Sequence, residues 1–259
     1  TDASLDSASL RRRGAASAGR LDFQAALVDF DRAVELDATD PENFYWRGKA
    51  RWRMSRLALA EADFDQALRL KPDHVEALIA RGTLRLSGDN EAGARTDFDA
   101  AQRISSDDSQ VLLEIANAFE QSERAGEAIT RLDAWVGKHP KDNRLAEVLN
   151  NRCWLRATEN RELNVALADC DAALKKGPRN SDVYDSRAFV YLRLGNYDKA
   201  VDDYDAALKL QPRAADSLYG RGLARLRQGL KEEGSRDIAA AIAMNPDAAK
   251  VYEKAGLNP

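Results

Sequence analysis

Five D-x-D pairs are the first chemistry this chain offers: Asp29/Asp31, Asp63/Asp65, Asp97/Asp99, Asp169/Asp171 and Asp203/Asp205. Paired carboxylates are what a divalent cation or a general acid–base step would use. Their spacing argues against both. On a helix, residues two apart point roughly 200° away from each other and cannot share one ion or one substrate atom. Cys153, Cys170, His74 and His139 complete the reactive set, and the two histidines fall in turns of different segments, too far apart to act together. There is no HExxH, P-loop, GxSxG or GxGxxG pattern. No metal site, cofactor or catalytic constellation is expected, and the chain reads as a non-enzyme.

The elements that position these groups are legible in Ser181 to Arg213, SDVYDSRAFVYLRLGNYDKAVDDYDAALKLQPR. Tyr184, Arg187, Ala188 and Tyr191 share one helical stripe. Gly195-Asn196 breaks that helix; Ala200, Tyr204 and Ala207 form a second stripe, which Pro212 ends. Such a helix–turn–helix is too small to bury a core alone, and the chain supplies copies of it. With Ser181 as position 1, the small residue at 8 recurs as Gly14, Gly48, Gly82, Ala116 and Gly222. Alanine at 20 recurs as Ala26, Ala60, Ala94, Ala128 and Ala166, and Pro at 32 as Pro72, Pro140, Pro178 and Pro246. The period is 34 residues, giving copies at 7–40, 41–74, 75–108, 109–142, 147–180, 181–214 and 215–248. The expectation is an all-α fold, residues 1–259 forming a single solenoid in which each repeat contacts its neighbours. Residues 143–146 are a four-residue insertion, expected to lengthen the next helix by about one turn from a cap near Asp142 or Asn143. Residues from about 247 to 256 read as an amphipathic capping helix over the exposed second helix of the last copy.

In an antiparallel hairpin centred on the turn, facing positions sum to about 31, which sets Arg at 7 beside Asp at 23. Five copies carry both partners: Arg13/Asp29, Arg47/Asp63, Arg81/Asp97, Arg187/Asp203 and Arg221/Asp237. In the fourth copy the arginine becomes Ile115 and the aspartate becomes Arg131. Repeated, partly buried structural ion pairs are therefore expected. The same rule places Cys153 opposite Cys170, either as a reduced pair of small core residues or as a disulfide. A disulfide would argue for an oxidising compartment such as the periplasm, and the alternative is the cytoplasm.

The pattern of a small residue at 8, Ala at 20, an aromatic at 24, Ala at 27 and Pro at 32 resembles the tetratricopeptide repeat (TPR), over almost the whole chain. That resemblance implies a right-handed superhelix of seven antiparallel helix pairs whose concave wall is lined by the first helix of each pair. It also implies a protein or peptide partner bound on positions 2, 5, 9 and 12. Those positions nominate Arg11, Tyr45, Lys49 and Trp52 near the N-terminus, and Asn151, Leu155, Phe189, Leu192, Tyr219, Leu223 and Leu226 near the C-terminus. Phe189, Leu223, Tyr45 and Tyr219 are expected to be open in the groove; Trp52, Leu192 and Leu226 either line it or pack on neighbouring repeats. The family's carboxylate clamp for chaperone tails is not matched, with only Asn117, Asn151 and Arg152 suggesting it.

Composition narrows the partners. A net charge of −4 and a pI near 5.4 disfavour a sequence-independent nucleic-acid binder, which needs a basic face. No run of 18 apolar residues exists to span a membrane. Two function classes remain. One is a non-catalytic interaction scaffold that binds an extended peptide or amphipathic helix. The other is a structural or regulatory module of a larger bacterial protein, envelope-, protease- or transglutaminase-like, whose N-terminal domain is not in this sequence. Thr1 reads as the start of a trimmed or mature fragment.

Overall fold

The computed structural model describes residues 5–259, so Thr1 lies outside the described residues. The described residues form fifteen α-helices and no strand. They divide into two compact units, the first ending at Arg124 and the second spanning Ala125–Pro259. The first holds the hairpins α1 (Ser7–Gly19)/α2 (Phe23–Leu36), α3 (Pro41–Arg53)/α4 (Leu57–Leu70) and α5 (Val75–Ser87)/α6 (Glu91–Ile104), then α7 (Ser109–Gln121). The second holds α8 (Ala125–Lys138), the hairpins α9 (Leu145–Thr158)/α10 (Leu163–Lys176), α11 (Ser181–Arg193)/α12 (Tyr197–Leu210) and α13 (Ala215–Arg227)/α14 (Lys231–Met244), and the short α15 (Lys250–Lys254). First helices of successive hairpins also touch one another: α1 with α3, α3 with α5 and α5 with α7 in one unit, α9 with α11 and α11 with α13 in the other. No described helix is long and apolar enough to cross a membrane.

Helix starts follow from local chemistry. Asp6, Asp22, Asp40, Asn90, Asp108 and Asn180 each accept a backbone N–H of the first turn through the side chain, the usual remedy for orphan donors. Between hairpin partners the chain turns through a left-handed residue. Gly195 and Gly229 supply it at φ +73° and +85°, whereas Leu21, Ser55 and Asp89 adopt it despite their Cβ atoms. Inside a hairpin, the small position 8 lets an aromatic ring lie on the facing backbone. A Cβ on Gly14, Gly48 or Gly82 would meet the rings of Phe30, Phe64 and Phe98 at 2.7, 2.8 and 2.7 Å. Each of those phenylalanines is fully buried, worth about 2 kcal/mol of transfer free energy apiece.

Two expectations are corrected. The insertion does not add a full turn: α9 begins at Leu145, because 143–144 form a turn in which Asp142 Oδ1 accepts from the Arg144 N–H. The C-terminal segment is shorter in helix than 247–256, and of its two buried residues, Ala248 and Tyr252, the large one does not turn toward α14. Ile242 and Met244 of α14 stay exposed, while Tyr252 turns into α11, α12 and α13.

Candidate functional site

Nine of the D-x-D carboxylates form an ion-pair ladder. Arg47 donates through Nε and Nη2 to Asp63 of its own hairpin, and through Nη1 to Asp31 of the preceding one at 3.1 Å. Arg81 does the same with Asp97 (2.6 Å) and Asp65 (2.7 Å), Arg187 with Asp203 and Asp171, and Arg221 with Asp237 and Asp205. Arg13 pairs with Asp29. The divergence of the two aspartates is what the arrangement uses: one carboxylate faces its own hairpin and the other faces the next. The Asp203 carboxylate holds the Arg187 guanidinium above its ordinary pKa against the opposing effect of burial. Sequence reading missed Arg51, Arg85 and Arg225, which add a second guanidinium to Asp63, Asp97 and Asp237. Their signal was a recurring arginine at position 11. Around Cys153, where position 7 has lost its arginine, Arg152 and Arg156 take over Asp169 and Asp133. With these carboxylates ligated by guanidinium groups, the ladder is structural.

Cys153 and Cys170 are joined by a disulfide between α9 and α10, their Cα atoms 5.7 Å apart and both side chains fully buried. A loop of this length stabilises by about 3 kcal/mol through restriction of the unfolded chain. His74 lies in the first unit against Glu42, Glu76 and Tyr45, and His139 in the second against Trp135.

In the first unit the nominated wall residues divide. Arg11 is held at the hairpin boundary, donating to Asp40 and to Asn43 Oδ1. Tyr45, expected to be open, is buried at 9 % exposure. Its ring packs on Trp46, Phe64 and His74. Trp52 is half-buried, edge-on to Phe64. Lys49 lies over the Tyr45 and Trp46 rings at 5.2 and 4.8 Å. Burial, then the neighbouring Arg53, pull its amine below the ordinary lysine value. Beside it, the small Ala15 and Ala18 of α1 leave a depression of about 700 Å³, floored by Phe30 and Trp46 and rimmed by Lys49 and Arg53. Trp46 at position 6 was not nominated from sequence.

In the second unit the nominated open residues are not open. Phe189, Tyr219 and Leu223 are 0–3 % exposed, and Leu155 and Leu192 are buried as well; Leu226 and Asn151 are half-buried. Phe189 and Tyr219 are covered by the chain's own C-terminal segment. The Tyr252 ring packs on Phe189 and Tyr219 with centroids 5.3 and 5.1 Å away, and Phe189 packs in turn on Trp154. Tyr252 Oη donates to the Asp216 carbonyl at 2.9 Å and lies 3.3 Å from Tyr204 Oη. Gly220 makes room for both tyrosines: a Cβ there would stand 2.3 Å from Tyr252 Oη and 2.3 Å from Tyr204 Cζ. Further along, Arg227 Nη2 donates to the Asn258 carbonyl. Gly220 has no glycine counterpart one period away, and Tyr252 falls on the period 34 residues after Leu218, in a copy too short for the repeat pattern to be followed.

Next to Val251 lies a second depression, about 350 Å³, lined by Asn150, Trp154, Asp182, Asp185, Asp216 and Ser217 among others. Ser217 Oγ donates to Asp185. Burial pushes the Asp185 carboxyl up to about 6, outweighing that hydrogen bond and assisted by the Asp216 and Asp182 charges. Tyr204 and Tyr252 also feel its charge. A raised acid takes up a proton in the folded chain that the unfolded chain does not bind, so stability falls as pH rises from about 4 to about 6. Asp185→Asn is therefore expected to raise stability at pH 7 by on the order of 1–2 kcal/mol and to flatten that slope. Thermal melts from pH 4 to 8 measure it; a less stable variant at pH 7 would mean the charge is needed.

Family models match two stretches: "Tetratricopeptide repeat" over residues 45–109 and "TPR repeat" over 188–229. No curated protein matches the chain. Among solved structures, a tetratricopeptide repeat protein from Parabacteroides merdae is 18 % identical with a TM-score of 0.67, the match covering 97 % of this chain and 98 % of that one. The C-terminal part of a TPR repeat-containing protein from Cytophaga hutchinsonii is 13 % identical with a TM-score of 0.70, over 94 % and 98 %. YrrB, described as a TPR protein with an unusual peptide-binding site, is 21 % identical with a TM-score of 0.56, over 74 % and 97 %.

Proposed function

Because the chain is a tetratricopeptide-repeat protein, we propose that it is a non-catalytic scaffold that binds a segment of another protein, with its open site on α1 and α3. The observation that carries this reading is the depression between Ala15, Ala18, Phe30 and Trp46 with its cationic rim. An apolar opening with a few convergent polar groups is the usual form of a ligand site. Lys49 and Arg53 select the flanking charge, so the occupant is an extended or helical segment that inserts one apolar side chain and presents acidic residues beside it. The description of YrrB as peptide-binding supports the same use of this fold. The ladder carboxylates have no part in binding.

Selection of a random displayed-peptide library on the intact protein tests this. Recovered sequences should pair an aromatic or aliphatic anchor with Asp or Glu. Ala18→Trp, which fills the depression from a half-buried position, should remove their binding without changing helicity. Peptides that bind Ala18→Trp as well as the parent would overturn the site, and an absence of any selected binder would overturn the reading.

A further inference from the structure

The C-terminal segment has the features of a bound ligand more than of a structural cap. Its helix α15 has five residues, far below the length at which a helix holds itself in water. Lys250, Glu253 and Lys254 face solvent, while Tyr252 alone of the helix is fully buried. The seat is assembled from Phe189 of α11, Tyr204 of α12 and Tyr219 with Gly220 of α13, with Trp154 of α9 behind the Phe189 ring. Aromatic rings around one inserted phenol, with a backbone carbonyl and a hydroxyl for its oxygen, make an anchor pocket.

The occupant also fits incompletely. Beside Val251 the 350 Å³ depression stays open, and its walls are acidic: Asp182 and Asp185 from α11 and Asp216 from α13. Asn150 Oδ1, on the α9 side, is buried without a hydrogen-bond partner. A valine methyl gives these acceptors nothing, and a cationic side chain would satisfy them.

We infer that the face of α9, α11 and α13 is a docking site for a short helical segment carrying a tyrosine with a cationic side chain next to it, and that residues 247–259 are its tethered, displaceable occupant. Tethering keeps the tail at an effective concentration on the order of millimolar, so the site is closed to weak competitors and opens to a partner that fills the acidic depression as well. This rests on the scaffold reading but concerns the other unit, so loss of peptide binding at α1 and α3 leaves it standing and the converse holds too.

The probe is a fluorescent peptide of residues 247–259 added to the full-length chain. It should bind the Tyr252→Ala chain with micromolar affinity and show no binding to the parent, whose own tail outcompetes it. A peptide with Val251→Lys should bind roughly tenfold more tightly, through a charge-assisted hydrogen bond. A peptide with Tyr252→Phe should bind roughly tenfold less tightly, having lost its oxygen's partners. Circular dichroism establishes that Tyr252→Ala is folded; should it not be, the parent is used instead, whose amides over residues 248–257 should exchange faster when the Val251→Lys peptide is added at millimolar excess, and unchanged exchange there would overturn the inference. A folded receptor that ignores the peptide would overturn the inference. So would equal binding to parent and Tyr252→Ala, which would place the peptide elsewhere, and so would a parent dimer that Tyr252→Ala dissolves, since the tail would then serve a neighbouring copy.

Discussion

Asp63→Ala is expected to destabilise the first unit by about 3–5 kcal/mol, whereas Asp31→Ala should cost at most about 1 kcal/mol. The two aspartates hold the same position pair in the ladder and accept from the same two arginines, Arg47 and Arg51. What separates them is solvent. The Asp63 side chain is 4 % exposed and the Asp31 side chain 45 %. Without Asp63, two guanidinium groups, each only 16 % exposed, would share one solvated carboxylate, and a buried uncompensated charge is the costly case. Burial alone works against a charged Arg47, and the Asp63 and Asp31 carboxylates outweigh it. Asp63→Asn, which keeps an acceptor oxygen, should fall between the two. Urea unfolding of the three variants measures the order; equal losses for Asp63→Ala and Asp31→Ala would mean that burial does not set the strength of the ladder.

The same contrast shows what a sequence of this kind discloses. Position 7 against position 23 is readable because both lie in one hairpin, where the turn fixes the register. Position 25 against the next arginine is not, because the register between hairpins depends on how one helix pair leans on another, and no residue spacing states it. The left-handed turn residue is signalled at Gly195 and Gly229 but hidden at Leu21, Ser55 and Asp89, where the hairpin contacts override the cost of a Cβ. The four residues 143–146 carry no helix breaker, yet Asp142 captures the Arg144 N–H and makes a turn of half of them. The wall positions are a matter of period; whether they are open is not. How the last segment folds back is a single event: Tyr252 falls on the period, 34 residues after Leu218, but nothing in the repeat states that its ring turns onto Phe189 and Tyr219. Periodic reasoning therefore finds Phe189 and Tyr219 on the right face of the right helices and misses what covers them.

Phe189→Ala puts that last point to the test, with an expected loss of about 3–5 kcal/mol from the second unit. On an open wall the same substitution would be nearly silent, within about 0.5 kcal/mol, because a solvated side chain leaves no cavity behind. Here the ring is fully buried, stacked between Trp154 and Tyr252 at 5.1 and 5.3 Å and covered on one side by the Arg193 guanidinium at 5.6 Å. Its removal opens a void that α11 cannot close, since Ala188 and Val190 beside it are already fully buried. It also removes one wall of the Tyr252 seat. The tail should therefore become more mobile, read as faster amide exchange over residues 248–257, while α13 and α14 remain protected. Leu226→Ala is the comparison, because that side chain is half-buried and should cost clearly less. A Phe189→Ala chain that melts with the parent would restore the open groove and remove the tail from it.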